Sequence, residues 1–546
     1  MSIQHLSRVP LVASEPGIRD RSDPAFGAQR AWGRRWAGVL TATTMCVAYL
    51  VVRPASVDFA SGDFRARLYS HGAYAWNNAW FGGHPTPGFG MVSTMLGSWF
   101  GVVPMAIASV LVGTWCLTLL VERCVELRPT LADPTLTTVL LAIGCSLNIW
   151  SGRLTFGPSV AFAAASVLAL QRRRPVIAVL CAVACGLSSP VAAVSLAIVL
   201  AGCWAAGVVS RTSAAATAIA AVLPVAVVGT LFYEGGHYPF TAGGLALLGS
   251  ALAVVAWTGR RERVIVWTVI AYAAAALVAF TVSTPLGGNI VRLGWLAAGP
   301  VVALTWRRRR RALFHVLIVL SVLWGWSYAK MAFQSTDSNA DPHFYDSLAV
   351  YVNSLPGGVQ RVEVVPTETY READELAFKI SLARGWETQI DRRFNPEMYN
   401  SNLTSDDFRQ WLTTNAISLV ALPTGRLQDI ARREAELIND HPDYLKPVWS
   451  NDDWHVFEVI SHQTLAGNGA TVIQVEPEAL HLEAQNVGIS TVRFRYTSLY
   501  RVTTGDACVT RSTGGWIELH VYEPGPITLD IDVTPASLFA RHGTCP

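Results

Sequence analysis

Arg260-Arg261-Glu262-Arg263 runs directly into Val264-Ile-Val-Trp-Thr-Val-Ile-Ala-Tyr-Ala-Ala-Ala-Ala-Leu-Val-Ala-Phe-Thr-Val282, a stretch without one charged side chain. A hydrocarbon layer about 30 Å thick takes roughly 20 apolar residues of helix to cross. A knot of arginines at one end holds such a helix at the cytoplasmic face. The stretch therefore reads as a span that starts inside. Similar runs extend from Trp36 to Val52, Val102 to Val121, Pro134 to Trp150, Phe156 to Leu170, Val176 to Leu187 and Val191 to Val209. Others extend from Ala214 to Phe232, Leu245 to Thr258, Ile290 to Trp306 and Ala312 to Tyr328, for an expected eleven spans. The run from Val176 is short for a full crossing and suits a broken or tilted helix packed against protein.

Arginine placement gives a second line of argument. With a cytoplasmic N-terminus, Arg30/Arg34/Arg35, Arg123/Arg128, Arg172/Arg173/Arg174, Arg211, Arg260/Arg261/Arg263 and Arg307 through Arg311 all fall inside. Only Arg53, Arg65, Arg67, Arg153 and Arg292 fall in outside connections. This asymmetry is the positive-inside pattern, and an odd number of spans puts the rest of the chain outside the cytoplasmic membrane.

Composition agrees. The 546 residues are 51% hydrophobic and 15% charged, against about 25% charged in ordinary soluble protein. Up to Phe333 there are 26 Lys/Arg and 10 Asp/Glu; beyond it there are 16 and 29, which return the net charge of +3. A soluble cytosolic enzyme, a disordered chain and a small disulfide scaffold are excluded. Nucleic acid is not an expected partner, because the arginines sit between apolar runs.

The expected architecture is an α-helical polytopic membrane domain followed by an extracytoplasmic α/β plus β-sandwich domain. Residues 1–35 read as a disordered cytoplasmic tail, and the first apolar run as an uncleaved span. Residues 36–333 read as the membrane domain, with a large first outside connection at 53–90. Residues 334–460 alternate helix and strand signals, and 461–546 carry short alternating strands between Gly/Pro/Asn turns. Seven of the nine cysteines lie in or beside apolar runs; Cys508 and Cys545 lie in the outside part, where an oxidising compartment favours a disulfide between them.

The informative polar residues lie in the outside connections. Asp58, Asp63 and Glu234 are the only carboxylates there within the membrane part. Beside them stand His71, Trp76-Asn77-Asn78, Trp80, His84, Arg153, His237, Asn289 and Arg292. Ionised groups at such depth face a partner or a water-filled cavity. Sugar transfer from a polyprenyl phosphate needs a carboxylate for the acceptor hydroxyl or a metal, a cation for the departing phosphate, and a groove for the lipid. Asp63, with Asp58 in reserve, suits the first role. Arg292 and Arg153, with Asn289, suit the second, because guanidinium offers phosphate a bidentate fork. Trp76 and Trp80 suit stacking on sugar faces, and His71, Asn77, Asn78, His84, Glu234 and His237 suit substrate binding. A divalent cation is compatible with the carboxylates, but two aspartates five residues apart form no DxD or ExD signature, so the cofactor stays unknown. Plainer roles stay open: Asp63 paired with Arg65 or Arg67, Arg292 snorkelling, Arg153 anchoring at the interface, and the aromatic residues forming an interfacial belt.

The segment Gly62-Asp63 with Trp76-Asn77-Asn78-Ala79-Trp80-Phe81-Gly82-Gly83-His84-Pro85-Thr86-Pro87-Gly88-Phe89 resembles the first outside loop of the YfhO-like, or 6-pyruvoyl-tetrahydropterin-synthase-related, bacterial membrane proteins. Ser151-Gly152-Arg153-Leu154-Thr155-Phe156-Gly157, Ser189-Pro190-Val191-Ala192 and Thr284-Pro285-Leu286-Gly287-Gly288-Asn289-Ile290-Val291-Arg292-Leu293 resemble their actinobacterial branch. So do Arg361-Val362-Glu363-Val364-Val365-Pro366-Thr367 and Ala383-Arg384-Gly385-Trp386-Glu387. The likeness runs from Asp58 to about Phe457. It implies GT-C glycosyltransferase architecture, many spans, and a loop acid matched by Asp63 that lines an outward cavity. The leading expectation is transfer of a sugar from a polyprenyl-phosphate donor to an envelope glycan or glycolipid. An envelope lipid transporter or flippase and a non-catalytic assembly factor are the alternatives.

Overall fold

The computed structural model describes residues 24–88, 90–128, 131, 133–306, 315, 337–539 and 545. The first part is helical: α1 (Pro24–Val52), α2 (Phe59–Ser70), α3 (Met91–Phe100), α4 (Val102–Leu127), α5 (Pro134–Trp150) and α6 (Phe156–Gln171). It continues with α7 (Pro175–Ser188), α8 (Pro190–Ala205), α9 (Arg211–Leu231), α10 (Ala242–Thr258), α11 (Arg263–Thr281) and, after a 3-10 turn at Gly287–Val291, α12 (Arg292–Thr305). Ten of the expected apolar runs are thus helices, and the run from Ala312 to Tyr328 lies outside the described residues, as do residues 1–23. α1 begins at Pro24, inside the stretch expected to be a disordered tail.

Among the described residues four helical stretches are long and apolar enough to cross a membrane: α4, α9, α11 and Gly287–Thr305. The apolar stretches of the other six, Trp36–Val52, Pro134–Trp150, Phe156–Gln171, Pro175–Ser188, Pro190–Ala205 and Ala242–Thr258, are shorter. The 14 residues of α7 rise only about 21 Å at 1.5 Å each. α9 and α11 leave Val222, Leu223, Val227, Ile270, Leu277 and Val278 exposed, and helices apolar on every side need lipid around them. Small residues bring the inner helices together. A Cβ on Gly186 of α7 would lie 2.0 Å from the Ala221 carbonyl oxygen of α9, so these two backbones touch directly.

Beyond residue 337 the chain builds two β layers in succession, the first a single sheet and the second a packed pair of sheets. A five-stranded sheet has the order β4 (Ser381–Leu382), β3 (Arg361–Val364), β5 (Leu419–Pro423), β7 (Trp454–Val459), β6 (Leu445–Ser450). β3 runs parallel to β4 and β5, whereas the β7 pairings are antiparallel. Every residue of β3 and β5 is buried; β5 is apolar throughout, as a strand covered on both faces should be, whereas β3 also buries Arg361 and Glu363. After it come a three-stranded sheet, β10 (Gly488–Arg495), β13 (Trp516–Val521), β12 (Ala507–Arg511), and a four-stranded sheet, β11 (Tyr500–Thr504), β14 (Gly525–Ile531), β9 (Ala479–Ala484), β8 (Ala470–Val475). Leu480, Phe494, Ile517, Leu519 and Leu529 fill the space between these two sheets. Cys508 on β12 is disulfide-bonded to Cys545.

The first connection is not a free loop. After α2 it forms a small hairpin of β1 (Trp76–Asn77) and β2 (His84–Pro85). The Ala79 carbonyl accepts from the Leu382 amide, the Pro477 carbonyl from the Asn78 amide, and the Gly82 carbonyl from the Arg495 amide. Both β layers therefore close over this segment.

One buried carboxyl makes stability depend on pH. Glu372 accepts a hydrogen bond from the Thr367 hydroxyl at 2.5 Å, and burial pushes its pKa up to about 8. The folded chain then holds a proton that the unfolded chain releases near pH 4.5. Its contribution to stability falls as pH climbs from about 4.5 to about 8, by up to about 1.4 kcal/mol per unit, and is flat above. Melting temperature measured across this range is expected to drop with rising pH, and Glu372→Gln is expected to make the slope shallower, with Asp374 and Glu434, also raised by burial, carrying the remainder.

Candidate functional site

Five separate stretches meet around a cavity of about 470 Å³. They are the entry to α2 (Val57, Asp58, Ser61, Gly62, Arg65), the α5–α6 turn (Gly152 to Thr155), the α9–α10 connection (Tyr238 to Thr241), the start of α12 (Gly288, Asn289, Val291, Arg292, Trp295) and Trp386 to Gln389. Of the residues picked from the sequence, Asp58, Arg153, Asn289 and Arg292 line it together.

Local structure explains how they converge. The α5–α6 turn carries Gly152 at φ +73, where a Cβ would meet the Phe59 amide nitrogen at 2.4 Å. Only glycine allows that turn to sit against the first residue of α2, and Arg153 follows directly. Its Nε lies 3.4 Å from Asp58 Oδ2. Arg292 donates to Asn289 Oδ1 at 2.8 Å, and its guanidinium sits 5.3 Å from the centre of the Phe156 ring. That geometry is cation–π packing at a helix start. The N-terminal end of α12 adds its own positive dipole to the same wall.

The opposite wall comes from the C-terminal part. Arg65 of α2 is 3% exposed. It bonds to Glu387, donates to the Thr86 carbonyl at 2.8 Å, and lies 3.6 Å from Glu234. Ser61 donates to Glu387 at 3.4 Å. Burial raises the pKa of both Glu387 and Glu234, and the Arg65 charge pulls each back toward ionisation. Three guanidiniums (Arg65, Arg153, Arg292) and two carboxyls (Asp58, Glu387) therefore face one space. Such a set can bind an oxyanion beside a group able to take a proton.

The other sequence-based assignments need correction. Asp63 does not line the cavity; its Oδ2 lies 3.4 Å from Arg67 Nε, and Arg67 also bonds to Asp374. Trp76, Asn77, Asn78, Trp80 and His84 are buried, and they bond to protein in place of sugar. Trp80 donates to the Ala373 carbonyl at 2.8 Å and stacks on Phe64. Asn78 Oδ1 accepts from Trp76 Nε1 at 2.8 Å and from the Tyr500 hydroxyl at 2.7 Å. Burial and the Arg65 charge lower the His84 pKa to about 3. A neutral His84 then donates from Nδ1 to the Pro85 carbonyl and accepts at Nε2 from Asn77. His71 is exposed at the C-terminal end of α2, with Nδ1 at 2.8 Å from the Arg67 carbonyl oxygen. His237 is exposed and does not line the cavity, and Glu234 lies 3.6 Å from Arg65 without lining it.

Sequence reasoning missed Glu387, Arg65 and Ser61 as site residues. The signal available for Glu387 was its place in Gly385-Trp386-Glu387, one of the resembling motifs. Among the described residues the one grouping of three His/Cys/Asp/Glu ligand atoms close enough for a metal is Cys508, His520 and Cys545. Its two sulfurs are already joined to each other.

No protein-family model matches the sequence, and no curated protein matches it. The YfhO-like resemblance therefore rests on the quoted motifs alone. Among solved structures, the cryo-EM structure of the arabinofuranosyltransferase AftD from Mycobacteria is similar over 92% of this chain, with 11% identity and a TM-score of 0.41. The crystal structure of ArnT from Cupriavidus metallidurans bound to undecaprenyl phosphate is similar over 78% of it, with 12% identity and a TM-score of 0.43. The chain spans 57% of the AftD chain and 98% of the ArnT chain.

Replacing Gly152 tests the construction of the site. Gly152→Val is expected to push the turn away from Phe59 and separate Arg153 from Asp58. A destabilisation of about 1–3 kcal/mol should appear in thermal unfolding, together with loss of whatever anion the cavity binds.

Proposed function

We propose that the chain is a membrane glycosyltransferase that takes a sugar from a polyprenyl-phosphate donor and passes it to an envelope glycan or glycolipid. The observation that carries this reading is the convergence of Asp58, Arg153, Asn289 and Arg292 on one cavity at the helix ends. The connections that line it follow α1, α5, α9 and α11, which alternate places at one end of the helices. The basic groups Arg172 to Arg174, Arg211 and Arg260 to Arg263 fall in connections of the opposite parity. Under the positive-inside rule the cavity then opens on the outer face, with the N-terminus cytoplasmic and the C-terminal β layers extracytoplasmic.

In this reading Asp58 takes the proton from the acceptor hydroxyl as its oxygen attacks the anomeric carbon. The bond from that carbon to the phosphate oxygen breaks, and the lipid phosphate leaves with the electron pair. Arg153, Arg292 and the start of α12 hold the charge that grows on the phosphate. Asn289 keeps the Arg292 fork oriented. Glu387, held by Arg65 and Ser61, forms the acceptor side of the cavity.

The test is transfer from a polyprenyl-phosphate sugar in reconstituted membranes. Asp58→Ala is expected to lower turnover by about 10²–10⁴-fold, while Asp63→Ala stays within a few-fold of the parent. Full activity in folded Asp58→Ala would overturn the assignment, and lipid movement with no glycosyl product would favour a transporter.

A further inference from the structure

A second cavity of about 470 Å³ lies where the first connection, the end of α9 and both β layers meet. Its charged wall residues are Arg393, Arg495 and Arg511, and no carboxylate is among the described residues that line it. Elsewhere in the C-terminal part Arg371, Arg384, Arg426, Arg432 and Arg433 are held in ion pairs, whereas the three arginines of this cavity have none among the described residues.

Arg495 is built in. Its Nε donates to the Phe81 carbonyl at 2.9 Å, and its guanidinium lies 3.7 Å from the Phe394 ring centre and 4.9 Å from that of Trp516. Burial and the neighbouring Arg393 charge lower its pKa to about 9, so two like charges are held close without a counter-ion. Arg393 donates to the Glu234 carbonyl and packs over Tyr233. The Tyr496 hydroxyl in the same wall is buried without a hydrogen-bond partner among the described residues. A desolvated donor and unpaired guanidiniums lose free energy unless an acceptor joins them.

The rim identifies where that acceptor comes from. Leu231, Phe232 and Tyr233 close one side; Leu231 ends α9 and the other two follow it, and α9 is long and apolar enough to cross a membrane. We infer that this cavity binds the phosphodiester headgroup of an anionic lipid at the membrane surface, with Arg393, Arg495 and Arg511 on the phosphate and Leu231 to Tyr233 against the acyl chains. The inference rests on α9 crossing the bilayer and not on sugar transfer.

The full chain in detergent is titrated with short-chain phosphatidylglycerol, the matching phosphatidylcholine, and inorganic phosphate, and binding is read by native mass spectrometry. Phosphatidylglycerol should bind at least tenfold tighter than phosphatidylcholine. Arg511→Glu, at an exposed position, should lower that affinity about tenfold or more, as should Arg495→Gln. Arg432→Gln, an exposed position that lines neither cavity, should leave it unchanged. Equal binding of the two lipids, unchanged affinity in folded Arg511→Glu, or inorganic phosphate competing as well as the lipid would each overturn the inference.

Discussion

Arg65 sets the constraint that the rest of the structure obeys. A guanidinium 3% exposed cannot stay charged without partners, and removing one partner of such a pair costs about 3–5 kcal/mol in other proteins. Its partners come from distant parts of the chain: Glu387 beyond the helices, Glu234 after α9, and the Thr86 carbonyl at the end of the first connection. Satisfying one charge on α2 therefore draws the C-terminal part down onto the helix ends. The wall of the first cavity formed by Trp386 to Gln389 follows from that requirement.

The same closure explains the fate of the aromatic segment. Trp76, Asn77, Asn78, Trp80 and His84 carry the polar-aromatic mixture of a sugar-binding loop. Once covered by two β layers, each must find its hydrogen bonds within protein. They do so with one another, with the Ala373 and Pro85 carbonyls and with the Tyr500 hydroxyl. Composition does not separate a surface that binds a ligand from one that binds the chain's own later residues, because the chemistry is shared. The segment works as a buried wedge that fixes where α2 stands.

The choice between two aspartates shows how local geometry decides a role. In the sequence Asp58 and Asp63 look interchangeable, both in a polar connection near arginines. The structure makes this connection a helix, and five residues of helix turn a side chain by about 140°. Asp58, at the entrance of α2, reaches Arg153 and the cavity. Asp63 turns toward Arg67 and the segment around Asp374. Residues 59–70 lack a strong apolar stripe, so periodicity offered no sign of the helix. Two cavities follow from the arrangement, one with carboxyls facing arginines and one with arginines alone.

Hydropathy and arginine placement were enough to mark the apolar helices, because burial in lipid acts on each segment by itself. Local pattern also marked seven of the strands between Arg361 and Ile531, but not Ser381–Leu382, Leu445–Ser450, Ala479–Ala484, Tyr500–Thr504 or Ala507–Arg511. Arg153, Asn289 and Arg292 stood out for a similar reason: isolated polar groups at apolar ends need a destination. The partners they find, the exclusion of Asp63, the inclusion of Glu387 and the burial of Trp80 were settled only by tertiary structure. Each depends on contacts between residues tens to hundreds of positions apart, and such contacts leave no mark on any single stretch of chain.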